Sequence, residues 1–353
     1  MGENFTARIF KFFEPSVFFE FLKDKVNIDK SKSDTAKASR DWLINKINNF
    51  PQNDLSFPLL YEASHLNYGS FERKTKTRPL DDIDIMICLN ADGWSYFENS
   101  VDDITLRPPS NYSGRLNAFK STVQWQENNL SSTRILNRFI KNLNTISQYS
   151  KAEIKKNGVA TVLKLTSYDW NFDIVPCFRT AVDYYDKSYY LIPNGNGNWK
   201  KTDPRVDRAR LQSINQACNG KVLNVIRLFK FWNQIPYKSK LSSSYLLETM
   251  ISNYYQEIIN QGLQNDVTVY PDIEFVKVAN YIIQNIYNVV SDPKNIDGNI
   301  NIISYSEQLA VKIRLERDLE KSRNARILES NEKQEESIKL WREIFGEQFP
   351  NYG

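Results

Sequence analysis

The apolar pattern changes character near residue 205. Upstream, short β-branched and aromatic runs alternate with helical stretches. Downstream, apolar positions recur almost wholly at helical spacing. Residues 3 to 26 are rich in phenylalanine and read as helix interrupted at Pro15. Ser33 or Asp34 can cap a helix to about Phe50, stopped by Pro51, with Trp42, Leu43, Ile44 and Ile47 placed to lie against a sheet. Strands are expected over Leu59 to Tyr68, Ile83 to Leu89, Val159 to Leu165, Trp170 to Pro176 and Tyr189 to Ile192. Residues 91 to 130, with Arg107-Pro108-Pro109-Ser110-Asn111 and few apolar runs, read as an insertion of loops and short elements. Ser131 or Ser132 caps a helix to roughly Tyr149, and residues 193–199 form a polar loop. Asp203-Pro204 opens a helix with proline at its first position. Further helices follow over Lys221 to Asn233, from within 241–248, and over about Asp272 to Val290, Ser304 to Leu328 and Glu332 to Phe345. The chain thus divides into an α+β part, residues 1–204, and a helical part, residues 205–353.

The strand Ile83 to Leu89 is apolar at nearly every position, so both of its faces are buried, yet Asp82 and Asp84 stand at its start. Residues two apart on a strand share a face. Two ionised carboxylates there repel, and burying them unpaired is costly. A divalent cation removes both problems, and hard oxygen ligands suit magnesium, with manganese as a substitute. The alternative, a strand edge with solvated aspartates, needs polar alternation that Ile83, Ile85, Met86, Ile87 and Leu89 do not show. A third carboxylate, Asp173, lies in the apolar run Trp170 to Pro176; its alternative is a hairpin-edge aspartate facing water.

Just upstream, Gly69 lets the backbone approach a ligand closely and Ser70 adds a hydroxyl for a phosphate oxygen. In the helical part, Lys230 follows Ile226 by four residues, on the margin of an apolar stripe. It either snorkels to water or reaches a buried anion. The helix starting in Ser242-Ser243-Ser244-Tyr245 offers free amides, a positive dipole end and hydroxyls, a phosphate site or an ordinary serine cap.

Composition narrows the rest. At 353 residues, with 41% hydrophobic and 13% aromatic content, the chain can bury a large core. No apolar run approaches 18 residues and the N-terminus lacks a secretory pattern, so neither a membrane span nor export is expected. Cys88, Cys177 and Cys218 are far apart, as suits a reduced cytoplasmic protein without a zinc site. His65 is the single histidine, and a structural role is its default. A net charge of +4 without a dense basic block implies no obligatory long nucleic-acid partner.

The ordered pair Gly69-Ser70 and Asp82-Ile83-Asp84 resembles the signature of polymerase-β-type nucleotidyltransferases. Arg73, Thr75, Pro79, Phe172-Asp173-Ile174-Val175-Pro176, Ile192-Pro193-Asn194, Trp199 with Thr202-Asp203-Pro204, Ile226-Arg227-Leu228-Phe229-Lys230-Phe231-Trp232-Asn233, Ser243-Ser244-Tyr245-Leu246-Leu247-Glu248 and the end from Trp341 to Pro350 extend the likeness. Together they resemble the bacterial cGAS/DncV-like nucleotidyltransferases over most of the chain, residues 91 to 130 excepted. The resemblance implies a polymerase-β-like lobe with a mixed sheet, and a C-terminal helical lobe closing a nucleotide cleft. It implies two magnesium ions on Asp82, Asp84 and Asp173, a triphosphate gripped by Gly69, Ser70, Lys230 and Ser244, and Tyr245 stacked on a base; the polar composition of the loop 193–199 suits a place over the nucleotide. NTPs would become a cyclic di- or oligonucleotide messenger of anti-phage defence, read by a downstream effector. Addition of a single nucleotide to RNA, protein or a small molecule is the enzymatic alternative; a degenerate nucleotide or RNA sensor is the non-enzymatic one. The glycine-ended tail, with Gly353 last, suits conjugation by a partner ligase, against the plainer reading of a frayed end.

Overall fold

The structure, a computed structural model, describes residues 16–123 and 127–352. Its centre is a nine-stranded mixed sheet in the order β1-β2-β7-β8-β9-β4-β3, with β6 and β5 branching from β7. The strands are β1 Leu66–Tyr68, β2 Asp82–Cys88, β3 Ser95–Ser100, β4 Asp103–Arg107, β5 Glu153–Asn157, β6 Ala160–Lys164, β7 Asn171–Arg179, β8 Tyr190–Pro193 and β9 Trp199–Thr202. β2 and β7 run parallel; β1 and β6 join them antiparallel.

Strand parity explains why β2 and β7 are apolar throughout. Ile83, Ile85, Ile87 and Leu89 from β2 and its end, with Phe172, Ile174 and Phe178 from β7, enter one core. Leu43 and Ile47 of α2 (Lys30–Asn48) and Ile135 and Phe139 of α5 (Ser132–Leu143) cover it from that side. The opposite parity carries Met86, Cys88, Val175 and Cys177 into a smaller cluster, and at its end come Asp82, Asp84 and Asp173. Neither face of these strands is left to solvent, so neither shows polar alternation.

Beyond β9 the chain is helical: α6 Pro204–Ala217, α7 Val222–Gln234, α8 Ser244–Asn260, α9 Pro271–Asn285, α10 Tyr305–Ser330 and α11 Gln334–Phe345. These pack around Phe229, Trp232, Leu247, Phe275 and Phe345. Phe21 ends α1 (Ser16–Phe21), and with Leu22 and Val26 of the π-helical turn after it enters this helical core rather than that of the sheet.

Several local expectations need correction. Residues 91 to 130 hold the hairpin β3–β4, which extends the sheet through Ile104 beside Trp199. Only Ile104, Thr105 and Leu106 of β4 are buried and β3 is wholly exposed, so little apolar signal marks them. α2 begins after Asp29, earlier than Ser33, and Asp29 turns its carboxylate to Arg78 instead of capping. Pro51 starts a short helix, α3 (Phe50–Asn53), rather than only ending one. α5 stops at Leu143, and β5 lies between it and β6. Of Leu59 to Tyr68 only the last three residues are strand, after a 3-10 turn at Glu62–Ser64. The segment 193–199 is a hairpin turn, fastened when Asn194 Nδ2 donates to the Asp102 carbonyl at 3.1 Å and Asn198 Nδ2 to Asp103 Oδ1 at 2.6 Å. Asp203 does cap α6, accepting from Arg205 N–H.

Candidate active site

Asp84 and Asp173 are paired in register on the parallel strands β2 and β7, and Tyr68 of β1 pairs with Asp84 from the other side. Asp82 lies two residues before Asp84 and pairs with Asn171. All three carboxylates therefore share one sheet face. β1 runs directly into the one-turn helix α4 (Gly69–Glu72), which lays Gly69 on that face. Gly69 has φ of +74°, and a Cβ built there would lie 1.7 Å from Asp84 Oδ2. No other residue type fits: the turn needs a left-handed backbone and Asp84 fills the space a side chain would take.

The charges on this face are unbalanced. Burial, then repulsion from Asp82 and Asp173, pushes the Asp84 carboxyl up to about 7. Burial and then Asp82 also raise Asp173. Lys76 and, more weakly, Arg73 work against this on Asp84, and Lys76 Nζ donates to Asp82 Oδ1 at 2.6 Å and also pairs with Asp81. As the side chains stand, no group of three or more His, Cys, Asp or Glu among the described residues converges on a metal position. The donor set nonetheless fits a hard divalent ion. Three carboxylates on one face, with Asp84 raised by burial and then by its two acidic neighbours, are relieved by such an ion.

Across from this face, Lys230 of α7 is 6% exposed and its Nζ lies 3.5 Å from Glu248 Oε2 of α8. Burial lowers the Lys230 ammonium, Glu248 works against that, and Arg73 and Lys76 add to it. Ser243 is the cap of α8, its Oγ accepting from Leu246 N–H at 3.1 Å, which leaves the exposed Ser244 free of that duty. Tyr245 is half-buried; its hydroxyl donates to Asp207 Oδ1 at 2.6 Å and accepts from Lys294 Nζ at 2.8 Å. Lys294 also sits 4.4 Å from the centre of the Tyr245 ring and bonds Asp292 at 2.8 Å.

The sheet thus brings Gly69, Ser70, Asp82, Asp84 and Asp173 together, while Lys230, Ser244 and Tyr245 come from two consecutive helices of the other segment. Gly353 lies outside the described residues. Sequence reasoning missed Lys76, though its place six residues before Asp82 in the same loop was a usable signal. It also missed Asp207, Asp292 and Lys294 around Tyr245; nothing in their local sequence sets them apart. His65 is structural: its Nδ1 accepts from Cys88 N–H and Nε2 faces Asn48 Oδ1, both at 3.1 Å. Among the described residues, no helix is long and apolar enough to cross a membrane.

A carboxylate face of this kind, on a mixed sheet with a glycine turn laid against it and helices opposite, is that of a polymerase-β-like nucleotidyltransferase. No family model matches the chain. It is 38% identical over 339 residues, 96% of this chain and 98% of the relative, to a probable cyclic nucleotide synthase of Bacillus cereus (strain VD146). It is 24% identical over 376 residues, 94% of this chain and 91% of the relative, to the cyclic AMP-AMP-GMP synthase of Enterobacter hormaechei subsp. hoffmannii (strain UCI 50). Among solved structures, that of Escherichia coli MS115-1 CdnC with ATP superposes with a TM-score of 0.66 at 16% identity, covering 95% of this chain and 98% of that one. The chain belongs to the bacterial cGAS/DncV-like nucleotidyltransferases and is an enzyme of that class.

Proposed function

We propose that the chain joins NTPs into a cyclic di- or oligonucleotide, a second messenger of anti-phage defence that a downstream effector reads. The observation that carries this reading is the in-register pair Asp84 and Asp173 with Gly69 packed on Asp84, in a chain 38% identical to a probable cyclic nucleotide synthase. Residues up to 204 act as the catalytic lobe and those from 205 as the lobe that closes on the nucleotide, with α1 attached to the latter.

Asp82, Asp84 and Asp173 would hold two divalent ions, magnesium or manganese. When bound, these ions supply Lewis-acid charge to the triphosphate and the departing pyrophosphate and acidify the attacking ribose hydroxyl. The protein's own groups do the rest. Gly69 lets the turn pack on Asp84 and so brings its backbone to the phosphates, and Ser70 and Ser244 offer hydroxyls from opposite sides. Lys230 supplies a buried positive charge, which favours the polyanion over water. Asp173 orients the attacking hydroxyl and accepts its proton. Tyr245, held by Asp207 with Lys294 over one ring face, keeps the other for a base. A cyclic product requires at least two transfers, so the linear intermediate turns round in the same cleft before closing. Incubation with the four NTPs and magnesium, with no added nucleic acid, tests the reading through a phosphatase-resistant product.

A further inference from the structure

Glu248 is 5% exposed and is one turn along α8 from Ser244. Its Oε1 accepts from Arg73 Nε at 2.7 Å and its Oε2 from Thr75 Oγ1 at 2.9 Å. Both partners belong to the stretch that follows Gly69-Ser70. The backbone N–H groups of Thr75 and Lys76 in turn donate to the Ser70 carbonyl, at 2.9 and 3.1 Å. One buried carboxylate therefore reaches the Ser70 backbone through a single intervening residue.

Its charge does not close the account. Arg73 and Lys230 bring two positive charges against one negative, and the one ion pair of Lys230 among the described residues spans 3.5 Å. A buried ammonium so loosely paired is costly, and an anion entering the cleft lowers that cost. A neutral amide at 248 can accept from Arg73 with its oxygen and donate to Thr75 Oγ1 with its Nε2, but it would leave both cations uncompensated.

We propose that Glu248 is the positioning residue of the nucleotide grip: it holds the Gly69–Thr75 turn against α8 and keeps Lys230 occupied until a polyphosphate takes Lys230 from it. This rests on reading the cleft as an NTP site. In the resting chain Glu248 competes with phosphate for Lys230; in the loaded chain it retains Arg73 and Thr75 and so fixes Ser70 against the triphosphate.

The competition and the bracing separate experimentally. Inorganic tripolyphosphate binding to the full chain is measured by calorimetry, and turnover is measured in parallel. Glu248→Gln removes the competing charge and should bind tripolyphosphate about tenfold more tightly, because a like charge beside a phosphate is repulsive. In the Glu248→Gln/Lys230→Met double variant that gain should vanish. Thr75→Val keeps every charge and cuts the brace; it should lower kcat several-fold and weaken tripolyphosphate binding, the opposite direction from Glu248→Gln. Thr75→Val also decides the matter should Glu248→Gln fail to fold. Equal or weaker binding by folded Glu248→Gln, or wild-type kcat in Thr75→Val, overturns the proposal. If the wild-type chain binds no tripolyphosphate at all, the NTP reading itself fails and the proposal with it; if it binds and only the variants disobey, the proposal alone fails.

Discussion

At the scale of single residues, Asp84 is where the proposed function and stability pull against each other. Its carboxyl lies at about 7 against an ordinary value of 3.8, so between those limits the folded chain holds a proton the unfolded chain releases. Stability from this group is complete below about pH 3.8 and is lost as pH rises through about 7. With chelator present, Asp84→Asn should therefore raise the melting temperature at pH 8, and in a separate assay with magnesium it should form no product; a lower melting temperature at pH 8 would show that the carboxylates are not in conflict. Asp82→Asn and Asp173→Asn should likewise remove turnover without unfolding the chain. His65 has the opposite slope. Burial lowers its ring from 6.5 to about 4, so its contribution is intact above pH 6.5 and is lost as pH falls towards 4. A His65→Gln variant should flatten the acid side of the stability profile and leave the alkaline side as it was. Equal acid sensitivity in variant and wild type would remove His65 as the cause.

Elements, not residues, decide what could be read in advance. β2 and β7 were legible because burial on both faces leaves continuous apolar runs, and because Asp82, Asp84 and Asp173 are out of place in them. Gly69 was legible as a glycine, but its reason, the Asp84 carboxylate occupying the position of a Cβ, exists only once β1 pairs with β2. β3 was not legible: all six of its residues are exposed, and its place depends on β4, which in turn pairs with β9. The surroundings of Tyr245 were hidden for a similar reason, since Asp207, Asp292 and Lys294 meet it only through the packing of α6, α8 and the segment after α9. The helical contribution to the site can be weighed by substitution. Lys230→Ala should cost about 1.5–3 kcal/mol of NTP binding, the worth of a charge-assisted contact. Tyr245→Ala should cost about 1–3 kcal/mol of base stacking. Wild-type KM for every NTP in both variants would remove α7 and α8 from the site.

For the whole molecule, polar contacts join the sheet segment to the helices: Arg73 and Thr75 to Glu248, Arg227 to the Lys74 carbonyl. Polar contacts of this kind can exchange partners when charged substrate enters, as a continuous apolar interface cannot. The mild net charge of +4 points to small phosphorylated substrates rather than to a duplex activator. Turnover should accordingly be the same with and without added double-stranded DNA or RNA; a large stimulation, abolished by nuclease, would contradict this. The most direct test of the central claim is mass spectrometry of the products made by the purified chain from ATP, GTP, CTP and UTP with magnesium. The expected product is a phosphatase-resistant cyclic di- or oligonucleotide with release of pyrophosphate, absent from an Asp82→Asn/Asp84→Asn double variant. NTP consumption that survives in that variant, or a wild-type product that is only a single nucleotide attached to another acceptor, would contradict that claim.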